Sequence, residues 1–210
     1  MRLSANLKRP KSMINDKVAI VVGHTDNNAG ASMAEPYAYV QEYEYNTVLS
    51  GICSAILTKR GVDNLVVLRD GVGIDGAYKI AIQYQPIAII ELHFNSTSKP
   101  EVKGTETLYG GIEGAKLLAD YVQTEICSLF KRGVNGNGNR GTRYRGFNDR
   151  GGKSLNHGAA IPTIMVEPFF GSNVSDSESA LLKIGQLAEA IIDGYFTWRL
   201  ASQNLTGLVN

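Results

Sequence analysis

Three short apolar runs, each closed by a side chain that can bind a metal or move a proton, constrain this chain more than any other feature. Val18-Ala19-Ile20-Val21-Val22-Gly23 runs straight into His24, Ile87-Ala88-Ile89-Ile90-Glu91-Leu92 into His93, and Thr163-Ile164-Met165-Val166 into Glu167. Runs that are apolar almost throughout, Glu91 excepted, rather than alternating, read as strands buried on both faces, the habit of parallel sheets covered by helices. In such sheets ligands and catalytic groups collect outside the carboxyl ends of the strands. His24, His93 and Glu167 are therefore expected at one site. The fold expected around them is a single α/β domain, a central, mostly parallel twisted sheet flanked by helices on both faces.

The stretches between the runs fit that frame. Helical spacing over residues 41–60 lines up Tyr45, Val48, Leu49, Ile52 and Ile56 as an inward face, and Gly61 stops the helix. At about 100° per residue Glu42 lies on the flank of that face and shares it with Asn46, whereas Glu44 projects outward. Glu42 is thus better placed than Glu44 to reach the strand ends, with Glu35 in the preceding loop left open. Residues 64–68 read as a second strand, 75–84 as a short helix, 105–109 as a strand and 113–131 as a helix. A final helix is expected over 177–200. Along 87–94 a period of two puts Glu91 and His93 on the same face. From 131 to 153 the chain turns Gly-rich and basic, with Arg132, Arg140, Arg143, Arg145 and Arg150 against Asp149. This reads as a long exposed loop, a kind that is often functional. Residues 1–16 read as a loosely held arm, 17–203 as the folded domain and 204–210 as a tail.

Composition narrows the function classes. The 210 residues are 43% hydrophobic and 20% charged with a formal net charge of +1, the profile of a globular protein with no overall pull toward nucleic acid or membrane. Cys53 and Cys127 sit among apolar helical residues without zinc-finger spacing and read as buried free thiols. No apolar stretch approaches the roughly 18 residues of a spanning helix. Residues 1–17 lack the apolar core of a signal peptide, so the expected setting is synthesis in the cytoplasm and action elsewhere.

Two neutral imidazoles and a carboxylate, with a fourth position for water, are a ligand set of catalytic zinc sites. A further carboxylate is then needed to take the proton from water and pass it on. Glu167 suits that task. The ordered series Val21-Val22-Gly23-His24, Glu42-Tyr43-Glu44-Tyr45-Asn46, Glu91-Leu92-His93-Phe94-Asn95 and Pro162-Thr163-Ile164-Met165-Val166-Glu167-Pro168-Phe169-Phe170 resembles the zinc-dependent N-acetylmuramoyl-L-alanine amidases of the amidase-3 type. The resemblance implies zinc ligands at His24, Glu42 and His93 and a catalytic glutamate at Glu167. It implies hydrolysis of the amide joining the lactyl group of N-acetylmuramic acid to L-alanine in bacterial peptidoglycan.

Departures from that pattern carry their own expectations. Gly23-His24-Thr25-Asp26 stands where many relatives have Gly-His-Gly, and Glu91 stands where many carry a small residue, a position at which some phage-type members resemble this chain. Glu91 is expected either to orient a ligand from behind or to sit inertly at the core edge. Asn46 and Asn95 belong to the same motifs and are expected beside the ligands. Arg140, Arg143 and Arg145 have two readings, contacts to anionic stem peptides or wall polymers, or a solvated surface. His157 reads as a hydrogen-bonded loop histidine. Two other activities stay open on the sequence, a wall-binding module that does not cut and a zinc peptidase acting within the stem peptide. A phage lysin, reaching the wall after membrane breach or virion delivery, is the expected biological setting.

Overall fold

The computed structural model describes residues 16–133, 138–157 and 159–207. The chain runs β1 (Lys17–Val22), α1 (Glu42–Lys59), β2 (Asp63–Val67), α2 (Gly73–Gln83), β3 (Ala88–Leu92) and β4 (Thr105–Tyr109). It continues through α3 (Ala115–Leu129), β5 (Asn139–Tyr144), α4 (Gly152–Leu155), β6 (Thr163–Glu167), α5 (Val174–Leu182) and α6 (Ile184–Gly207). The six strands form one sheet in the order β2-β1-β3-β6-β4-β5. β2, β1, β3 and β6 are mutually parallel. β4 runs antiparallel to β6, and β5 follows β4 in parallel.

Because the central strands are apolar on both sides, both faces of the sheet are covered. Val18, Ile20, Ile90, Leu92, Ile164 and Val166 pack with α1, α3 and α6 on one face. Ala19, Val21 and Ile89 pack with Ala77, Tyr78 and Ala81 of α2 on the other. The crossover through α1 thus covers one face and the crossover through α2 the opposite one. Connections leave β1 toward β2 and then return past it to β3, so the chain changes direction between β1 and β3. A crevice opens at the carboxyl ends of strands at such a switch point.

Three sequence expectations need correction. The basic stretch 131–153 is not one long loop, since it contains the edge strand β5 and the short helix α4. β5 carries no apolar alternation. Pairing with β4 and the Gln123 amide bonded to Asn139 Oδ1 at 2.8 Å hold it instead. On α1 the inward stripe is rotated, with Val48 56% exposed and Cys53 and Leu57 fully buried. The final helix is two, because the chain breaks at Lys183, which caps α5. Both cysteines are buried and free, as expected.

Residues 1–15 of the expected arm lie outside the described residues. Asp16, the sixteenth, is buried and receives Arg199 Nε and Nη2 at 2.7 and 3.0 Å, a bidentate pair tying the start of β1 to α6. Of the expected tail, the α6 backbone runs through Gly207, and 208–210 lie outside the described residues. Among the described residues no helix is long and apolar enough to cross a membrane.

Candidate active site

β1 ends in a sharp turn. Gly23 donates its N–H to Leu92 O at 2.9 Å, and His24 adopts φ +65°, a left-handed conformation rare for a side chain of its size. Strain of this kind persists where surroundings over-determine it and is typical of functional sites. The turn brings the His24 ring to 5.1 Å, centroid to centroid, from that of His93, which follows β3. Close approach explains the glycine, because a Cβ at Gly23 would fall 2.4 Å from the His93 ring.

Glu42 enters from the first turn of α1, where the helix dipole favours an anion. Its Oε2 lies 3.2 Å from His24 Nε2 and its Oε1 2.8 Å from His93 Nδ1. Backbone N–H groups of Ala31 and Phe94 donate to the same two oxygens at 3.1 and 3.0 Å. Burial pushes the Glu42 carboxyl up, but hydrogen bonds from His24 and His93 outweigh it and hold the group at about 2. Gly30, at φ +79°, closes over the cluster, since a Cβ there would lie 2.6 Å from Glu42 Oε2. One donor atom each from His24, Glu42 and His93 falls within 4.8 Å of the others. Ligand bonds of about 2.0–2.1 Å in a tetrahedron give edges of about 3.3 Å, and the Glu42 contacts to His24 and His93, at 3.2 and 2.8 Å through its two oxygens, lie near that length, so the chemistry of the donor set suits a zinc-type ion.

Behind His93 stands a layer that sequence reasoning found only in part. Glu91, fully buried, places Oε1 2.9 Å from His93 Nε2. Its Oε2 accepts the Tyr78 hydroxyl at 2.5 Å, and Arg69, just past β2, pairs with the same Oε1 that faces His93. Arg69 also reaches Ser154 Oγ at 3.2 Å. With Nε2 engaged by Glu91, Nδ1 is the nitrogen that faces the cluster. Neither Arg69 nor Tyr78 was singled out by the sequence. The only signal was an arginine directly after the apolar run Leu65-Val66-Val67-Leu68.

Glu167 ends β6, next to β3 in the sheet. Burial pushes its carboxyl up to about 8, with the His93 and Arg150 charges opposing and Glu42 and Glu106 reinforcing. Its Oε2 is buried and has no hydrogen-bond partner. Opposite it in the β4/β6 register stands Glu106, another residue the sequence did not flag. Glu106 Oε1 accepts the Asn95 amide at 2.6 Å, and its Oε2 lies 3.2 Å from Arg140 Nε and 3.1 Å from Arg143 Nε.

The remaining expected residues make no hydrogen bond to the cluster. Arg145 donates to the Tyr144 carbonyl at 3.4 Å and does not join Arg140 and Arg143. Asn46 is fully buried on α1, and neither of its amide atoms has a partner. Glu44 is exposed and closes a capping box with Gln41, and Glu35 is exposed outside the cluster. His157 stacks on Tyr78 and lies 3.2 Å from Asp75 Oδ1, the hydrogen-bonded loop histidine the sequence suggested.

The family model described as N-acetylmuramoyl-L-alanine amidase, Amidase_3, matches residues 18–195, from β1 into α6. The chain belongs to the Amidase_3 family of N-acetylmuramoyl-L-alanine amidases. No curated protein matches it. Among solved structures, the amidase AmiC2 of Nostoc punctiforme is 25% identical with a TM-score of 0.73, over 88% of this chain and 97% of that one. The catalytic domain of the amidase CwlV from Paenibacillus polymyxa is 21% identical with a TM-score of 0.72, over 87% and 97%. The catalytic domain of an endolysin targeting Clostridia difficile gives 21% and 0.64, over 87% and 98%. These likenesses speak for the fold, and the amidase assignment rests on the family match. The amidase acts on peptidoglycan, and His24, Glu42 and His93 meet at the carboxyl ends of β1 and β3.

Proposed function

We propose that this amidase hydrolyses the amide between the lactyl group of N-acetylmuramic acid and L-alanine, using a zinc ion held by His24, Glu42 and His93 and proton transfer by Glu167. The observation that carries this reading is the meeting of three donor atoms within 4.8 Å of one another at the strand ends. Bound there, zinc would supply Lewis acidity toward the scissile carbonyl and a water acidified toward a pKa of about 7.

The chain's own groups do the rest. Glu91 holds His93 by Nε2, which fixes the ring so that Nδ1 faces the site, and Arg69 and Tyr78 hold Glu91 in turn. Glu167 Oε2 is buried without a partner, so it is available to accept a proton from the attacking water and to return it to the leaving nitrogen. Burial raises the affinity of that carboxyl for a proton, which suits a group that must hold one between the two transfers.

Mass spectrometry of digested peptidoglycan tests the reading. Muramic acid freed of peptide is the expected product. A shortened stem peptide would make the chain a peptidase, and binding without any product would make it a wall-binding module. Chelation should abolish activity and zinc restore it, whereas full activity after prolonged dialysis against chelator would remove the metal from the mechanism. A lytic setting, for which the likeness to an endolysin catalytic domain is the support, predicts lysis of bacteria with permeabilised inner membranes. Intact walls left uncleared under those conditions would count against it.

A further inference from the structure

Residues 140 and 143, three apart on a regular strand, would point to opposite faces of the sheet. In β5 they do not. Thr105 of β4 stands opposite Asn139, but Thr107 stands opposite Thr142, so the register slips by one residue between them. Gly141, at φ +77°, lies within the slip, and a Cβ there would meet nothing within 4 Å, so backbone conformation alone calls for glycine. Such a bulge re-aims side chains, and bulges concentrate beside active sites. Here Arg140 and Arg143 both bring Nε to the same oxygen of Glu106, at 3.2 and 3.1 Å.

The charges around that point do not balance. Glu106 is buried with one oxygen committed to Asn95, and its single negative charge faces two guanidinium groups. The Arg140 plane rests on the Phe170 ring at 4.9 Å, which holds it in place. Arg140 and Arg143 remain 34% and 47% exposed and make no other ion pair among the described residues. Their Nε atoms are used, while the outward N–H donors are left for a planar anion, the fork geometry that suits a carboxylate.

Position identifies the anion. Glu106 and Glu167 are direct cross-strand partners, and such pairs share a face with Cβ atoms about 4.5–5.5 Å apart. The guanidinium groups therefore stand within about 10 Å of Glu167, a distance spanned by two or three peptide residues at about 3.3–3.6 Å each. We infer that Arg140 and Arg143 form a carboxylate subsite that reads the second residue of the stem peptide and favours its free acid over its amide. The inference rests on the proposed cleavage next to L-alanine.

Two matched substrates test it, muramyl-L-alanyl-D-glutamate and its D-isoglutamine counterpart, which differ only in that carboxylate. The zinc-loaded amidase should favour the acid in kcat/KM by about tenfold to a hundredfold, the scale of a charge-assisted hydrogen-bonded contact. In Arg143→Gln and Arg140→Gln the ratio should collapse toward unity, and Arg143→Lys, which keeps charge without the fork, should fall between. Calorimetry of the two peptides on the metal-free protein should show the same order without catalysis, and it covers any variant that loses activity. An unchanged ratio in the arginine variants, or no preference in the parent protein, would overturn the subsite while leaving the amidase reading intact. Failure to cleave either substrate would instead strike the amidase reading, and calorimetry would still decide the subsite.

Discussion

At Glu167 burial and chemistry pull against stability. The folded, metal-free protein holds this carboxyl at about 8, whereas the unfolded chain releases the proton near the ordinary value of 4.5. Its contribution is therefore fully present below pH 4.5 and is lost as pH rises toward and through 8. Glu167→Gln removes that titration. Melting of chelated parent and variant should coincide in their difference at low pH and diverge by several degrees in the variant's favour at pH 8.5, and a constant difference would mean that Glu167 is solvated. With zinc present the same variant should retain metal and lose about 10² to 10⁴ in rate, the usual contribution of an acid–base group. Near-normal turnover would remove Glu167 from the mechanism, and lost zinc would make it a ligand. Glu42→Ala should strip zinc while Glu44→Ala keeps it, since only Glu42 reaches His24 and His93; equal zinc contents would break the assignment. These side chains were legible because each ends or borders an apolar run whose direction is readable. Arg69, Tyr78 and Glu106 were not, because each becomes polar machinery only through a partner on another element.

The elements were readable in proportion to their apolar content. β1, β3 and β6 announce themselves as continuous runs, and α3 as a helical stripe. β5 is written in Asn, Arg, Gly, Thr and Tyr, and what makes it a strand is the β4 edge it pairs with. Periodicity cannot register a strand that owes its existence to a neighbour. The same reasoning locates a prediction at Gly141. Gly141→Ala forces a side chain into left-handed space, which costs about 1–2 kcal/mol, so melting should fall by several degrees and the acid preference assigned to Arg140 and Arg143 should weaken with the bulge. Gly51, exposed within α1 and with open space at its Cβ position, is the matched control. Gly51→Ala should stabilise by about 0.5–1 kcal/mol through helix propensity. Equal melting shifts of the same sign would mean that backbone conformation at Gly141 is not what the bulge depends on.

Across the whole molecule, the proposed metal site joins parts of the chain that are far apart in sequence. His24 follows β1, Glu42 opens α1 and His93 follows β3, so an ion held by all three staples both sides of the switch point and the helix above it. The unfolded chain cannot present those donors together, and binding energy is then folding energy. At a free concentration about 1,000 times the dissociation constant the stabilisation is about 4 kcal/mol, which for a chain of this size raises the melting temperature by about 10 °C. The shift should grow with the logarithm of added zinc in the parent protein and vanish in His24→Ala and His93→Ala, each of which deletes one of three protein ligands. It should persist in Glu167→Gln, because Glu167 is not one of the three clustered donors. Glu91→Gln should lie between, because Nε2 of His93 would keep a hydrogen-bond partner but lose the negative charge behind it. Melting curves of the five proteins, recorded with and without zinc, would reveal a different site if the histidine variants still responded. They would reveal none at the strand ends if the parent did not.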